Sequence, residues 1–237
     1  MNVKTGIVVL LALLAGPAIA APSPGGVAAT TDGLVAVKSR TLDEVYVRPN
    51  ADLSSYRKVM IDPGTAELRK NWLKDTNSQR SPARWITRSD AQEITDQAAK
   101  SLAPTLAEVF KRQGYEIVTA PGPGVLRLSP SVTDLYVNAP YFPTPGIQKA
   151  NVRDAGEATL GLDVRDAVSG ALLARIIDSS TAQEIRAPAT AAGQLAANPA
   201  NDVTNQFWFD ALYRQFGSYC WKVIGAAPGA ATAKAQP

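Results

Sequence analysis

Residues 157–165 read EATLGLDVR, and after the turn DAVSG at 166–170 the chain continues as ALLARI at 171–176. In both arms apolar residues alternate with polar or small ones, which is the period-two pattern of a strand with one buried face. The alternating apolar residues are Ala158, Leu160, Leu162, Val164, Leu172, Ala174 and Ile176. Asp and Gly at the two ends of the turn favour a tight reversal of the chain. The stretch therefore predicts an antiparallel β-hairpin with one buried face.

Further apolar runs on the N-terminal side of the hairpin predict additional strands. The short runs are residues 45–47, 56–61 and 115–119, and each is bounded by polar residues, Pro or Gly. The long run covers residues 125–137, and we expect it to bend at Pro130.

Two stretches have the three-to-four-residue apolar spacing of a helix. Asp90 and Glu93 predict a capping box at the start of the first helix, which should reach about Arg112. Asn201 or Asp202 is the predicted N-cap of the second helix. The order of strand, helix, several strands and helix favours an α+β fold. We expect a two-layer sandwich, in which a mostly antiparallel sheet has its helices packed on one face.

The N-terminus is typical of a secretory signal peptide. Lys4 is followed by an apolar run, and Ala18-Ile19-Ala20 forms a small-x-small cleavage site. No cysteine follows that site to accept a lipid, so we expect a periplasmic or secreted protein without an anchor or a transmembrane segment. The predicted organisation is a signal peptide at 1–20, a flexible leader at 21–33, a single α+β domain at 34–225 and a disordered tail at 226–237.

The chain has no histidine and a single cysteine, Cys220. The lack of histidine excludes Ser-His-Asp and Cys-His catalysis and every metal site built on imidazole. Cys220 lies between Tyr219 and Trp221, a setting that favours a buried thiol over a reactive one. We therefore expect no catalytic residue, no metal and no cofactor, and we predict that the protein is not an enzyme. The formal net charge is only +3, and with an exported destination we expect no nucleic-acid partner.

Residues 69–88 concentrate basic and aromatic side chains, with Asp75 as their only acidic residue. Such side chains can hold an anionic polymer, a glycan, a lipid headgroup or an envelope protein by charge and stacking. The alternative is a solvated connection whose tryptophans fold back onto the core. Tyr141 and Phe142, which lie between prolines, form a second candidate contact loop. The candidate binding residues of the segment are Arg69, Lys70, Trp72, Lys74, Arg80, Arg84, Trp85 and Arg88.

Several phrases resemble, in their order along the chain, those of a known family. They are VYVRPNADLSSYRKVMIDP at 45–63, GYEIV at 114–118, LRLSPSVTD at 126–134, GEATL at 156–160 and DAVSG at 166–170. Together they resemble domain of unknown function 3313, a family of uncharacterised exported bacterial proteins, over residues 34–225. The resemblance implies a Gram-negative envelope setting, no known activity and no catalytic residues. Members are often lipoproteins, and this chain departs from them in lacking the anchoring cysteine.

Three functions follow from these observations as hypotheses. The leading one is a non-catalytic, soluble envelope protein that binds or scaffolds an envelope component. The second is a periplasmic small-molecule carrier with a pocket between the sheet and the helices. The third is a hydrolase that uses only carboxylates, in which Asp163 or Glu157 would line a cleft.

Overall fold

The computed structural model of the protein describes residues 30–138, 154–183 and 202–225, which form eight strands, three helices and two short 3₁₀ turns. The strands are β1 (Val35–Ala36), β2 (Glu44–Val47), β3 (Lys58–Ile61), β4 (Thr65–Leu68), β5 (Glu116–Ile117), β6 (Val125–Val137), β7 (Asp154–Asp166) and β8 (Leu172–Gln183). The helices are α1 (Trp72–Ser78), α2 (Arg88–Arg112) and α3 (Asp202–Gly225). The predicted signal peptide and tail lie outside the described residues, and the domain limits at 34 and 225 stay a prediction.

Strands β7 and β8 form the antiparallel hairpin that the sequence predicts, with Leu162 opposite Ile176. The turn is held by Asp166, whose Oδ1 accepts hydrogen bonds from the backbone N–H of Ser169 at 2.7 Å and from its hydroxyl at 2.8 Å. The predicted inward residues of both strands are all buried: Ala158, Leu160, Leu162, Val164, Leu172, Ala174 and Ile176. The alternating pattern therefore predicted both the pairing and the buried face.

The described strands form one mixed sheet with the order β1-β2-β8-β7-β6-β3-β5. The strands from β1 to β6 in this order pair antiparallel. In contrast, β3 pairs in parallel with both β5 and β6, and β4 also runs parallel to β6. The α+β class is confirmed, but the prediction of a mostly antiparallel sheet is wrong.

The parallel part of the sheet follows from the position of α2 in the chain. This helix separates β3 and β4 from β5 and β6. Two parallel neighbours need a crossover of a dozen or more residues, usually a helix, whereas antiparallel neighbours can be joined by a tight turn. Local alternation reports which face of a strand is buried and carries no information on strand direction. Only the length of the connection through α2 indicates that these strands run parallel.

Helices α2 and α3 supply the apolar residues that cover the inward side chains of β6, β7 and β8. Leu102, Leu106 and Phe110 of α2, and Tyr213 and Phe216 of α3, are at most 1% exposed and belong to one core cluster with these strands. Burial of each such side chain contributes about 1.5–3 kcal/mol. Along the three strands, buried residues alternate with partly exposed ones. Each of these strands therefore has one face in the core, and we call the opposite face, where the polar residues lie, the uncovered face.

Helix α2 begins one turn earlier than the sequence predicts. Its N-cap is Thr87, whose Oγ1 accepts a hydrogen bond from the backbone N–H of Asp90 at 3.1 Å. In return, the Asp90 carboxylate accepts one from the backbone N–H of Thr87 at 2.8 Å. This is a capping box, but its members are Thr87 and Asp90 rather than Asp90 and Glu93. The chain carries the cap spacing twice in succession, and the spacing alone does not say which copy starts the helix.

The register of β6 shifts at Asp134 rather than at Pro130. Asp134 has a φ of 52°, and the pairing with β7 is irregular between Thr133 and Tyr136. Opposite this bulge lies Gly156, with a φ of +145°, where an added Cβ would lie 1.8 Å from the carbonyl oxygen of Tyr136. Only glycine fits at this position, because both its backbone conformation and its close approach to β6 exclude a side chain.

We expect Gly156→Ala to lower the free energy of unfolding by at least about 2 kcal/mol, because it adds strain and a clash at the bulge. Urea unfolding followed by circular dichroism measures this loss. The matched control is Gly122→Ala, where the nearest atom to an added Cβ is 3.9 Å away and no positive φ is required. Equal stability of the two variants would contradict this account of the bulge.

Candidate functional site

Residues 69–88, the segment between β4 and α2, are anchored to the core at two points. Trp72 is 1% exposed, and its Nε1 donates a hydrogen bond to the carbonyl oxygen of Val137 at 3.2 Å. Ile86 is also buried, and the side-chain amide of Asn77 brackets its backbone with two hydrogen bonds of 2.8 Å. These contacts hold the residues between the two anchors in a fixed path across the surface.

Between the anchors, residues 80–85 form what we call the basic turn. A short 3₁₀ turn at Pro82–Arg84 brings Trp85 back onto Arg80, and the indole Nε1 donates a hydrogen bond to the Arg80 carbonyl oxygen at 3.2 Å. Trp85 is 57% exposed, whereas Arg80 is half-buried. Burial lowers the pKa of Arg80, and the neighbouring charge of Arg84 lowers it further. No carboxylate in the described part of the chain forms an ion pair with either arginine.

Arg69 and Trp72 do not join the basic turn, although the sequence places them in the same segment. Arg69 forms ion pairs with Asp134 at 3.2 Å and with Glu157 at 2.9 Å, and its Cζ lies 4.9 Å from the centroid of the Tyr136 ring. The ring of Trp72 is enclosed by the core. Neither residue is therefore available for contact with a ligand, because the charge of Arg69 is already paired and the Trp72 ring is buried.

The other candidates are either exposed or outside the described residues. Lys70, Lys74 and Arg88 are exposed, and no side-chain hydrogen bond within the described ranges joins them to the basic turn. Tyr141 and Phe142 lie outside the described residues, so their role stays a prediction.

A second polar region crosses the uncovered face of β6, β7 and β8, and Asp163 is the residue of this region that the sequence indicated as a candidate. Asp163 on β7 accepts hydrogen bonds from Nε of Arg175 on β8 at 2.7 Å and from Nη2 of Arg165 at 3.1 Å. Arg175 also donates from Nη1 to Asp32 at 2.8 Å. The hydrogen bond to Asp163 raises the pKa of Arg175, so its guanidinium stays charged. Asp163 and Arg175 come together only through the β7–β8 register.

Asp62, which follows β3, lies on the same face of the sheet as Asp163, and β6 separates the two residues. Its carboxylate accepts hydrogen bonds from Nε of Arg127 at 2.9 Å and from the hydroxyl of Ser129 at 2.6 Å. Burial alone would raise the pKa of Asp62, but these hydrogen bonds outweigh burial and hold it below its usual range. A groove of about 590 Å³ lies between this pair and Asp163.

The two carboxylates considered for hydrolysis lie too far apart to act together. Glu157 and Asp163 are six residues apart on β7, which corresponds to about 20 Å along a strand. A catalytic pair in a glycoside hydrolase needs a separation of about 5–10 Å. Asp163 lines the groove, whereas Glu157 forms an ion pair with Arg69.

Cys220 is a buried free thiol on α3, as the sequence predicts. Burial raises the pKa of this thiol well above its usual value, and the nearby charge of Asp178 raises it further. A buried, protonated thiol is not a nucleophile. Within the described residues, no three His, Cys, Asp or Glu side chains cluster in a way that could hold a metal ion. In the same ranges, none of the helices is both long and apolar enough to cross a membrane.

These features define an α+β protein with a basic surface turn and a polar groove on its sheet. The chain belongs to the DUF3313 family, described as a protein of unknown function, whose model matches residues 25–206. This match confirms the family resemblance of the sequence phrases and assigns no activity. Among curated proteins, none matches the chain.

The solved structures that are distantly similar to the chain include the following two. One is the PelC dodecamer from Paraburkholderia phytofirmans, at 12% identity and a TM-score of 0.34, with 73% of this chain and 96% of that chain covered. The other is a neuraminyllactose-binding hemagglutinin homolog from Helicobacter pylori, at 17% identity and a TM-score of 0.33, with 71% and 84% covered. Likenesses this weak support no inference about ligands or assembly.

The two tryptophans of the segment should respond oppositely to truncation. We expect Trp72→Ala to lower the free energy of unfolding by about 3–5 kcal/mol, since it empties a core site and leaves the Val137 carbonyl oxygen without its donor. Trp85→Ala should change it by less than about 0.5 kcal/mol, because most of that ring is in water. Thermal and urea unfolding of both variants provide the comparison, and a large loss for Trp85→Ala would show that its ring supports the fold.

Replacement of Asp62 should have a pH-dependent effect. The folded-state pKa of Asp62 is depressed, so its stabilising contribution is fully present above the unfolded-state pKa of about 3.9 and is lost as the pH falls through the folded-state pKa. We expect Asp62→Asn to be less stable than the wild type at neutral pH, with the difference vanishing in strong acid. Urea unfolding across that pH range measures it. The control is Glu67→Gln, which removes an exposed carboxylate that forms no ion pair in the described residues. A difference that grows as the pH falls would refute the assignment.

Proposed function

We propose that the protein is a non-catalytic envelope protein, exported to the periplasm, that holds an anionic envelope component at the basic turn. The observation that carries this proposal is the arrangement of Arg80, Arg84 and Trp85. The charges of Arg80 and Arg84 are close enough to affect each other, and the exposed Trp85 donates its indole N–H to the backbone of Arg80. Among the described residues, no carboxylate forms an ion pair with either arginine. Phosphate and carboxylate groups are the ligand chemistry that such a turn fits best.

The charge of Arg80 supports an anionic ligand in particular. A half-buried cation next to a second cation is destabilised by lost hydration and by repulsion. An anion that contacts both guanidinium groups relieves both penalties and can receive several donors in a planar array. In contrast, Arg69 and Arg175 already satisfy their guanidinium groups with aspartate or glutamate. A further anion would therefore relieve no unpaired charge at Arg69 or Arg175.

The fixed position of Trp85 supports recognition by stacking as well as by charge. The hydrogen bond from its indole nitrogen to Arg80 restrains the ring while leaving 57% of the residue exposed. A restrained aromatic ring loses little conformational freedom on binding, and its face can stack on a sugar ring or lie at a headgroup interface. Trp85 is exposed and restrained, and it belongs to the same turn as two arginines that form no ion pair with a described residue. It is therefore better suited to binding than to fold stability.

The absence of a catalytic role is also part of the proposal. Against the effect of burial, hydrogen bonds from Arg127 and Ser129 hold the pKa of Asp62 below its usual range, which disfavours it as a proton donor. Both carboxylate oxygens of Asp163 accept hydrogen bonds from arginine. Glu157 is far from both aspartates in the strand direction. Cys220 is buried, and the chain has no histidine. These residue environments support a binding protein over a carboxylate hydrolase.

Close contacts of α2 with the β3–β4 connection and with α3 disfavour the carrier hypothesis at those two places in the interior. A Cβ on Gly64 would lie 2.6 Å from the carbonyl oxygen of Ala99 on α2. A Cβ on Gly217 of α3 would lie 2.8 Å from the side chain of Leu106. Even a methyl group does not fit at these two points, so there is no room for a small-molecule ligand there.

The test measures binding of the purified protein to peptidoglycan, lipopolysaccharide and anionic phospholipid vesicles in separate arms. We expect at least one arm to show binding that Arg84→Glu weakens by at least about tenfold and Trp85→Ala by several-fold. Binding should also weaken as salt is added, since exposed charges are screened. Co-sedimentation and surface plasmon resonance give the affinities.

The matched control is Arg40→Glu, which produces the same change in net charge at an exposed arginine in the β1–β2 connection, at the opposite edge of the sheet. If Arg40→Glu and Arg84→Glu weaken binding equally, the effect comes from net charge and the basic turn is not the site. Absence of binding in all three arms would also reject the proposal.

A further inference from the structure

The groove on the uncovered face of the sheet has the volume of a small-ligand site. Its volume is about 590 Å³, it lies between Asp62 on one side and Arg175 on the other, and it crosses β6 and β7. Small-ligand sites in proteins span about 300–1,000 Å³. It shares no lining residue with the basic turn, so whatever occupies it is independent of the proposed function.

The charges around the groove are paired with one another. Two groups, one of Asp62 with Arg127 and one of Asp163 with Arg175, flank the groove with ion pairs of 2.9 and 2.7 Å. The second group also includes Asp32, which pairs with Arg175, and Arg165, which pairs with Asp163. The two groups together contain three aspartates and three arginines, so their charges cancel. Because no net charge remains, the groove offers no electrostatic preference for an anion or a cation.

Hydroxyl groups provide most of the remaining polar lining: Thr65, Ser129, Ser131, Thr133 and Thr159. The hydroxyl of Ser131, at the centre, forms no hydrogen bond with any other described residue, and the same holds for Thr65. Each hydroxyl can both donate and accept a hydrogen bond. The lining can therefore bind a neutral ligand that is rich in groups of the same kind.

Gly161 leaves the floor of the groove without a side chain next to Ser131. It lies opposite Ser131 on β6 and opposite Ile177 on β8, at the middle of the sheet. An added Cβ would lie 2.6 Å from the Ser131 hydroxyl oxygen. Any side chain at this position would fill the space directly above the free hydroxyl, so the glycine leaves that hydroxyl open to a ligand.

The composition of this face disfavours a second copy of the chain as the occupant. The centres of interfaces between protein subunits are depleted in charged residues and enriched in aromatic ones. Here the central strands present paired aspartate and arginine, serine and threonine, with Ile177 as the large apolar residue of the groove's outward side. The groove also lies on the face of the sheet, away from the edge where an added strand would pair.

We infer that the groove binds a neutral, polyhydroxylated ligand, namely an oligosaccharide chain. The ion pairs on its two sides fix aspartate and arginine side chains whose free lone pairs and N–H groups can contact sugar hydroxyls. The central hydroxyls of Ser131 and Thr65 complete the polar floor. The bound oligosaccharide runs across β6 and β7, above Gly161.

The test titrates the purified protein with three neutral oligosaccharides, cellohexaose, chitohexaose and maltohexaose, and with an anionic oligogalacturonate as the contrasting probe. Calorimetry or NMR chemical-shift mapping reports binding. We expect at least one neutral probe to bind and Ser131→Leu to weaken it by at least about tenfold, because leucine occupies the floor of the groove. Thr181→Leu, on the same face of β8 but outside the groove lining, should bind like the wild type.

If Ser131→Leu fails to fold, Thr159→Val is measured in its place, because it removes a lining hydroxyl and keeps a β-branched residue in the strand. Several-fold weaker binding by this variant supports the inference. Absence of binding to all neutral probes, binding of oligogalacturonate alone, or equal affinities for Ser131→Leu and Thr181→Leu would overturn it. It would also be overturned if the protein were a dimer that Ser131→Leu separates.

Discussion

The burial of one face of β6, β7 and β8 is the constraint on which the rest of the structure depends. These strands are 12 or 13 residues long, and their inward residues, such as Leu128, Leu160 and Ile176, are completely buried. A sheet that is apolar on one face must bury that face, and residues of α2 and α3 belong to the same core cluster as its inward residues. The opposite face has no such requirement, so its residues are free to be polar.

Both proposed sites follow from that asymmetry. The chain leaves β4 at the edge of the sheet and continues to α2, and this connection contains the basic turn. Trp72 and Ile86 anchor the connection at its two ends, which leaves Arg80, Arg84 and Trp85 displayed between them. The groove arises on the other face, where paired charges and hydroxyl groups meet across strands. One site is positively charged and the other is neutral overall, so we expect them to select different chemistry.

The sequence predicted those features that depend on neighbouring residues. Alternation between 157 and 176 defined the hairpin and its buried face, and apolar spacing located α2 and α3. Features that depend on distant residues were missed. The parallel pairing of β3 with β6 requires knowledge of the crossover, and the four residues of β4 are too few to show a pattern. The ion pair of Arg69 with Glu157 joins residues far apart in the chain, so the sequence could not show that this arginine is already paired. Trp72 and Trp85 have similar basic neighbours, and only the fold separates a core residue from a surface one. The groove likewise exists only once the strand register places Ser131 beside Gly161.

The central claim is that an anionic envelope component contacts the basic turn. Hydrogen–deuterium exchange, measured by mass spectrometry with and without lipopolysaccharide, peptidoglycan or anionic vesicles, tests it most directly because it locates the contact without any substitution. We predict that at least one of these components slows exchange at residues 80–88. Exchange that is unchanged there in all three cases, or slowed only elsewhere in the chain, would contradict the account.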